Sequence, residues 1–169
     1  MSTTWKLDPT HSELTFKVKH MMISYVKGEF TSFEAEITTE DDTFSKAKVS
    51  ASIKTDSVFT NNTDRDTHLK SADFFNAEKY PAITFEAEAL TGDVTGNLTI
   101  NGVTKPVTLD VDFGGIGQDP WGNTKAGFSF EGKIKRSDFG LNWNAALEAG
   151  GVLVSDEVKI AGDLQFVKQ

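Results

Sequence analysis

Residues 98–113 read L-T-I-N-G-V-T-K-P-V-T-L-D-V-D-F. Apolar side chains hold the even positions through Leu98 and Ile100. Asn101-Gly102 follows, and the apolar parity then turns odd at Val107, Leu109, Val111 and Phe113. Asn-Gly is the strongest short-range signal for a two-residue hairpin turn, because both residues tolerate the positive φ that the turn requires. Position 100 then faces position 103, so a single apolar face survives only if the parity switches there. It does, and the stretch reads as a β-hairpin with one buried face. Pro106 has no N–H to give to a ladder and marks a bulge or an edge near the start of the second strand.

Working outward, the same period of two recurs along the chain. Leu14, Phe16 and Val18 alternate with polar residues, as do Phe33, Ala35 and Ile37, then Val49, Ala51 and Ile53, then Ile83, Phe85, Ala87 and Ala89. Phe128, Phe130 and Ile134 supply another strand, and Val158, Ile160, Leu164 and Phe166 the last. The pattern predicts roughly eight strands with almost no helical periodicity. Two connections are longer: the Gly-rich 114–123, which lacks phosphate-binding spacing, and 144–156, where a helical turn is expected over Asn144–Leu147. No linker, repeat or low-complexity tract interrupts residues 1–169, so the expectation is one all-β domain. Hairpin-linked strands and Phe-rich inward positions favour an eight-stranded antiparallel up-and-down barrel, although period alone leaves a sandwich open.

The 13 phenylalanines against 2 tyrosines imply a wide interior with few polar handles. A net charge of −8 repels phosphate backbones and anionic head groups, which argues against nucleic acid as a partner. No apolar run approaches the ~20 residues of a membrane-spanning helix. The absence of cysteine removes disulfides, thiol catalysis and thiolate metal sites. The N-terminus lacks the basic and apolar regions of a secretory signal, so the chain as written is expected to be cytoplasmic, or periplasmic if a leader has been removed.

Ionisable residues crowd one stretch, D-R-D-T-H-L-K-S-A-D-F-F at 64–75. Asn61, Asn62, Thr63 and Asp64 offer N-caps, and Asp66 and Lys70 stand four apart in the favourable acid-before-base order. A short helix over about 64–72 is expected across one barrel end, with Leu69 and Ala72 on its packing side and Phe74 and Phe75 plugging the rim. The competing reading is an acid/base or metal cluster of His68 with Asp64 or Asp66, joined by His11 and His20. No closely spaced histidine pair supports it, and no metal site and no catalytic residue is assigned. Asp8-Pro9-Thr10-His11-Ser12 holds the residue types of a hydrolase triad but reads as a turn. The acidic pairs Asp41-Asp42 and Asp156-Glu157 read as solvated turns.

Several runs carry a resemblance: W-K-L-D-P-T-H-S-E-L-T-F-K-V-K-H at 5–20, V-K-G-E-F-T-S-F at 26–33, Y-P-A-I-T-F at 80–85, G-N-L-T-I-N-G-V-T-K-P-V at 96–107, R-S-D-F-G-L at 136–141 and D-E-V-K-I at 156–160. Together with the 64–75 stretch, they resemble the YceI-like polyisoprenoid-binding family in order along nearly the whole chain. The resemblance implies a lipocalin-like barrel of bacterial and commonly periplasmic type, with a long isoprenoid lipid, polyprenyl or quinone, in its lumen and no other cofactor. The family's ligand residues are mostly lumen-lining apolar side chains, so the alternation assigns them here. The candidates are Phe16, Val18, Phe33, Ile37, Ile53, Phe85, Leu98, Ile100, Leu109, Val111, Phe113, Phe128, Phe130, Ile134 and Ile160, with His20, Met22 and Trp143 near a mouth. Small residues at Ala35, Ala51, Ala87, Ala89 and Ala126 leave spare room.

Each buried CH₂ contributes about 0.8 kcal/mol, so one isoprene unit supplies roughly 3–4 kcal/mol before ordering costs. An enzyme centred on His68 is the least favoured reading. The stronger alternative is a stress-related or interaction protein whose barrel is filled or non-specifically occupied and serves as scaffold, acting through an outer surface or a homodimer interface.

Overall fold

The computed structural model of the chain describes residues 2–40, 43–144 and 153–169. Asp41-Asp42 and positions 145–147 of the expected helical turn lie outside the described residues. Eleven β segments form one antiparallel sheet. They are β1 (Thr3–Leu7), β2 (Glu13–His20), β3 (Ser24–Phe30), β4 (Phe33–Thr39), β5 (Ala47–Lys54), β6 (Val58–Phe59), β7 (Ala82–Ala87), β8 (Gly92–Ile100), β9 (Val103–Gln118), β10 (Thr124–Lys135) and β11 (Val154–Lys168). The pairs β1/β2, β3/β4 and β5/β6 are each one barrel strand broken by a short irregularity, because β1 pairs with β4 where β2 pairs with β3, and β5 with β4 where β6 pairs with β3. Eight barrel strands result. Every one pairs with its neighbour in sequence, and β11 closes the ring on β1 and β2.

The hairpin forms at Asn101-Gly102, with Ile100 opposite Val103 and φ of 54° and 75° at the two turn residues. Pro106 sits at an edge: β10 pairs with β9 only from Leu109 onward, so one side of β9 lacks a partner at Pro106. The register irregularity in this part of the sheet comes later, opposite Gly127/Phe128. The expected count of eight agrees with these barrel strands, although alternation named no residue of β1, β3 or β6; β1 has a single buried side chain, Trp5, too short a pattern to register.

The break between β1 and β2 is a 3-10 turn over Pro9–His11 held by Asp8. Its carboxylate accepts from the Thr10 backbone N–H (3.1 Å), the Thr10 hydroxyl (2.8 Å) and Lys125 Nζ (3.0 Å), and pairs with His11 Nδ1 (2.8 Å). Ser12 Oγ donates to the Asp8 carbonyl (2.7 Å) and accepts from Gln165 N–H (3.0 Å). The triad-like residues thus serve a strand kink, as the turn reading expects.

One end of the barrel is packed solid. Phe44 is fully buried, with its ring 5.4 Å from Trp5, 5.3 Å from Phe113 and 5.0 Å from Phe128. Ile37 faces Trp5 across the sheet, and Phe166 closes against Phe128 at 5.8 Å. These large apolar faces make an aromatic floor.

The helix α1 (Thr63–Lys70) crosses the other end, one or two residues from the expected bounds. Its N-cap is Asn62, whose side chain accepts from Arg65 N–H at 3.0 Å. The expected Asp66–Lys70 pair does not form. Asp66 is buried and accepts from the Thr60 N–H (2.8 Å) and the Thr60 hydroxyl, because a buried carboxylate gains more from fixed donors than from a solvated ammonium.

Candidate ligand-binding lumen

Between the floor and the helix lies a cavity of about 590 Å³. That volume falls within the ~300–1,000 Å³ that holds a drug-sized ligand.

The alternating faces deliver the wall. Phe16, Val18 and His20 come from β2, Phe33 from β4 and Ile53 from β5. Phe85 comes from β7, Leu98 and Ile100 from β8, and Leu109 and Val111 from β9. Phe128, Phe130 and Ile134 on β10, Trp143 between β10 and β11, and Ile160 on β11 are the other expected residues that line it. Ala35 and Ala51, directly paired, also face the cavity, whereas Ala87 and Ala126 are buried away from it.

Three expected residues do not line it. Ile37 lies in the floor beside Trp5. Phe113 is at the far end of β9, stacked on Phe128 at 5.2 Å and still partly exposed. Met22 sits in the β2–β3 turn with its side chain out in solvent. Period two assigns a residue to a face but not to a height along the barrel axis, and these three misplacements are errors of height.

The lumen stays open despite its phenylalanines because three of them lie against glycine. A Cβ on Gly28, Gly96 or Gly162 would stand within 3.0 Å of the ring of Phe16, Phe85 or Phe130, respectively. Gly28 and Gly162 are the direct cross-strand partners of Phe16 and Phe130. The missing side chain lets each ring rest on the neighbouring backbone instead of crossing the lumen.

Apart from Thr15, whose hydroxyl donates to the Ala161 carbonyl at 3.3 Å, the polar residues lining the cavity among the described residues gather at the helix end. Thr60, Asn62, Asp64, Arg65 and His68 face the cavity there, with His20 and Arg136 opposite. His68 pairs with Asp73 Oδ2 at 2.9 Å rather than with Asp64 or Asp66. Its ring packs 4.7 Å from Trp143 and 5.1 Å from Phe74, and Phe74 lies 5.5 Å from Trp143. Phe75 packs on Phe30 at 5.7 Å. The 64–75 stretch therefore closes the rim, with His68 paired to Asp73 and Asp66 held by Thr60.

Arg136, which the sequence reading quoted only within the R-S-D-F-G-L run and gave no role, lines the cavity. It is buried and donates to four carbonyls: Ser155 (2.9 Å), Leu141 (2.6 Å), Trp143 (2.8 Å) and Val154 (3.1 Å). One planar guanidinium thereby fixes the Trp143 segment to the start of β11. Burial pulls its pKa below the ordinary value, countered in part by the Asp156 carboxylate. Burial likewise opposes ionisation of Asp156, but the two hydrogen bonds from Ser137 and the charges of Arg136 and Lys135 hold that carboxyl below its usual value. Hydropathy carried no signal for Arg136, since a charged residue in a turn reads as surface.

The family model of the YceI-like domain matches residues 5–166. The chain belongs to the YceI-like family. A UPF0312 protein of Staphylococcus aureus strain N315 is 40% identical over 166 residues, 97% of each chain. The solved YceI protein of Campylobacter jejuni superposes with a TM-score of 0.75 at 36% identity, covering 89% of this chain and 90% of that one. A domain from Saccharophagus degradans, described as polyisoprenoid binding, shares the fold at a TM-score of 0.72 and 17% identity over 98% of both chains.

Proposed function

We propose that this protein is a non-catalytic carrier that stores or transfers a long-chain isoprenoid lipid of polyprenyl or quinone type. The observation that carries the reading is the polarity gradient of the cavity, whose wall is mainly apolar from the aromatic floor up and whose charged groups, among the described residues, stand at the rim. Such a gradient suits an amphiphile with a long hydrocarbon tail and a compact polar head. Membership in the YceI-like family, and the solved relative described as a polyisoprenoid-binding domain, support an isoprenoid over a straight acyl chain. Branched methyl groups also fit a wall that alternates flat rings with the small Ala35 and Ala51.

The test is organic extraction and mass spectrometry of the protein purified from its own organism, beside native mass spectrometry of the intact particle. One isoprenoid at near-stoichiometric occupancy is expected. An empty protein, or a mixture of unrelated lipids, would favour the scaffold alternative instead.

A further inference from the structure

The outer surface beside the mouth is unlike the rest of this acidic chain. Lys27, Lys17, Lys159 and Lys133 are consecutive direct partners across β3, β2, β11 and β10. Direct partners share a face, so four lysines form one row across four strands. Like charges directly opposite one another destabilise a sheet. Some relief comes from Tyr25, whose ring centroid lies 5.1 Å from Lys17 Nζ and 5.2 Å from Lys159 Nζ. Among the described residues only Lys133 of the four has a carboxylate within reach, Glu157 at 3.9 Å. Lys19, opposite Tyr25, and Lys135 add charge one row nearer the mouth. Away from the mouth the sign reverses: Glu13, Asp163 and Asp112 share the row two residues below Thr15.

Beyond the lysines, toward the mouth, stands an apolar tip. Met21, Met22 and Ile23 are all exposed, Ile23 to 79%. The Ile23 N–H donates to the His20 carbonyl at 3.2 Å, with φ of 53° at Met21 and 62° at Met22. That is a turn with two left-handed central residues, where asparagine or glycine sits at lower cost. Nothing in the packing of the barrel calls for methionine there. The Met21 N–H donates to the Leu153 carbonyl at 2.8 Å, and Leu153 and His20 both line the cavity, so the tip is continuous with the rim.

We infer that this edge docks the mouth on an anionic lipid bilayer, the Met21–Ile23 tip entering the interface while the lysine row faces the acidic head groups. The inference rests on the carrier reading. A net charge of −8 does not rule it out, because the charge beside the Met21–Ile23 tip is set locally by the lysine row, while Asp64, Asp66 and Asp73 belong to α1 and the turn after it. Adaptable methionines and an exposed isoleucine beside the lumen opening give a lipid an apolar path between bilayer and cavity.

The test is partition of the full-length protein onto vesicles of phosphatidylcholine with or without phosphatidylglycerol. Two double variants are compared with it, Met22→Ser with Ile23→Ser and Lys17→Gln with Lys159→Gln. Circular dichroism reports their folding and lipid extraction reports the lumen. Partition is expected only onto the phosphatidylglycerol vesicles, with a loss of about fivefold for each lysine removed, and a loss for the tip variant too. Equal partition of the folded variants, no partition of the parent, or equal binding to both vesicle types overturns the inference. So does self-association blocked by the same substitutions without vesicle binding, which would make the edge a contact between two copies. An isoprenoid-loaded protein that ignores vesicles sinks the docking edge but leaves the carrier reading standing. Docking with no isoprenoid in any preparation does the reverse.

Discussion

The ring of Phe130 rests on Gly162, its direct partner on β11, so closely that a Cβ at Gly162 would stand within 3.0 Å of it. The same relation joins Phe16 to Gly28. It turns a bulky side chain into flat wall, and it decides whether a Phe-rich barrel is filled or hollow.

Gly162→Ala tests this directly. Gly162 has no left-handed φ, so its backbone accepts alanine, and the Phe130 ring must swing into the lumen. Overpacking of this kind costs about 1–3 kcal/mol. The expected outcome is a modest fall in the urea midpoint with a larger fall in bound lipid by extraction and mass spectrometry. Undiminished lipid content would show that Phe130 does not gate the volume.

Phe44→Ala should act on stability instead. Phe44 is fully buried and holds Trp5, Phe113 and Phe128 together in the floor. Truncating such an aromatic costs about 3–5 kcal/mol. Denaturant unfolding measures it, and a loss below about 1 kcal/mol, small against that range, would mean the floor is not the packed end.

Arg136→Lys keeps the charge but loses the planar fork. An ammonium cannot reach carbonyls on Leu141, Trp143, Val154 and Ser155 at once, so at least one loses its donor. Val154 keeps the Asn144 side-chain amide at 2.7 Å, so at about 1–3 kcal/mol for an unsatisfied buried group a loss of roughly 1–3 kcal/mol is expected. Chemical unfolding, with Trp143 fluorescence as a reporter of the rim, checks both the size and the place of the effect.

Acid sensitivity should trace in part to Asp8. The His11 ring holds its carboxyl well below the ordinary range, with hydrogen bonds from Thr10 next, burial opposing, and Lys125 adding to the effect. A folded-state pKa below the unfolded one stabilises the protein above the ordinary carboxylate value, and that contribution disappears as pH falls through the folded value. Asp8→Asn should therefore be less stable than the parent at neutral pH, with the gap closing below about pH 4. A gap that stays constant into strong acid would assign the effect to lost packing rather than to charge.

Much of this molecule was legible one residue at a time. Asn101-Gly102 dictates its turn through backbone sterics, and alternation named the inward faces of Phe16, Phe85 and Ile160 without any knowledge of neighbours. The capping sequence before Arg65 announced α1, and Phe74 and Phe75 marked the rim. These signals are local, because φ preferences and the pleat act within a few residues. Height along the barrel axis is not local. Only the closure of β11 on β1 sets Ile37 and Phe113 in the floor and leaves Phe33 and Phe128 on the cavity wall. The pairing of Phe130 with Gly162, the reach of Arg136 to Val154 and Ser155, and the lysine row from Lys27 to Lys133 likewise join segments far apart in sequence. Their alignment follows from strand register and stagger, and those come from packing the whole ring at once.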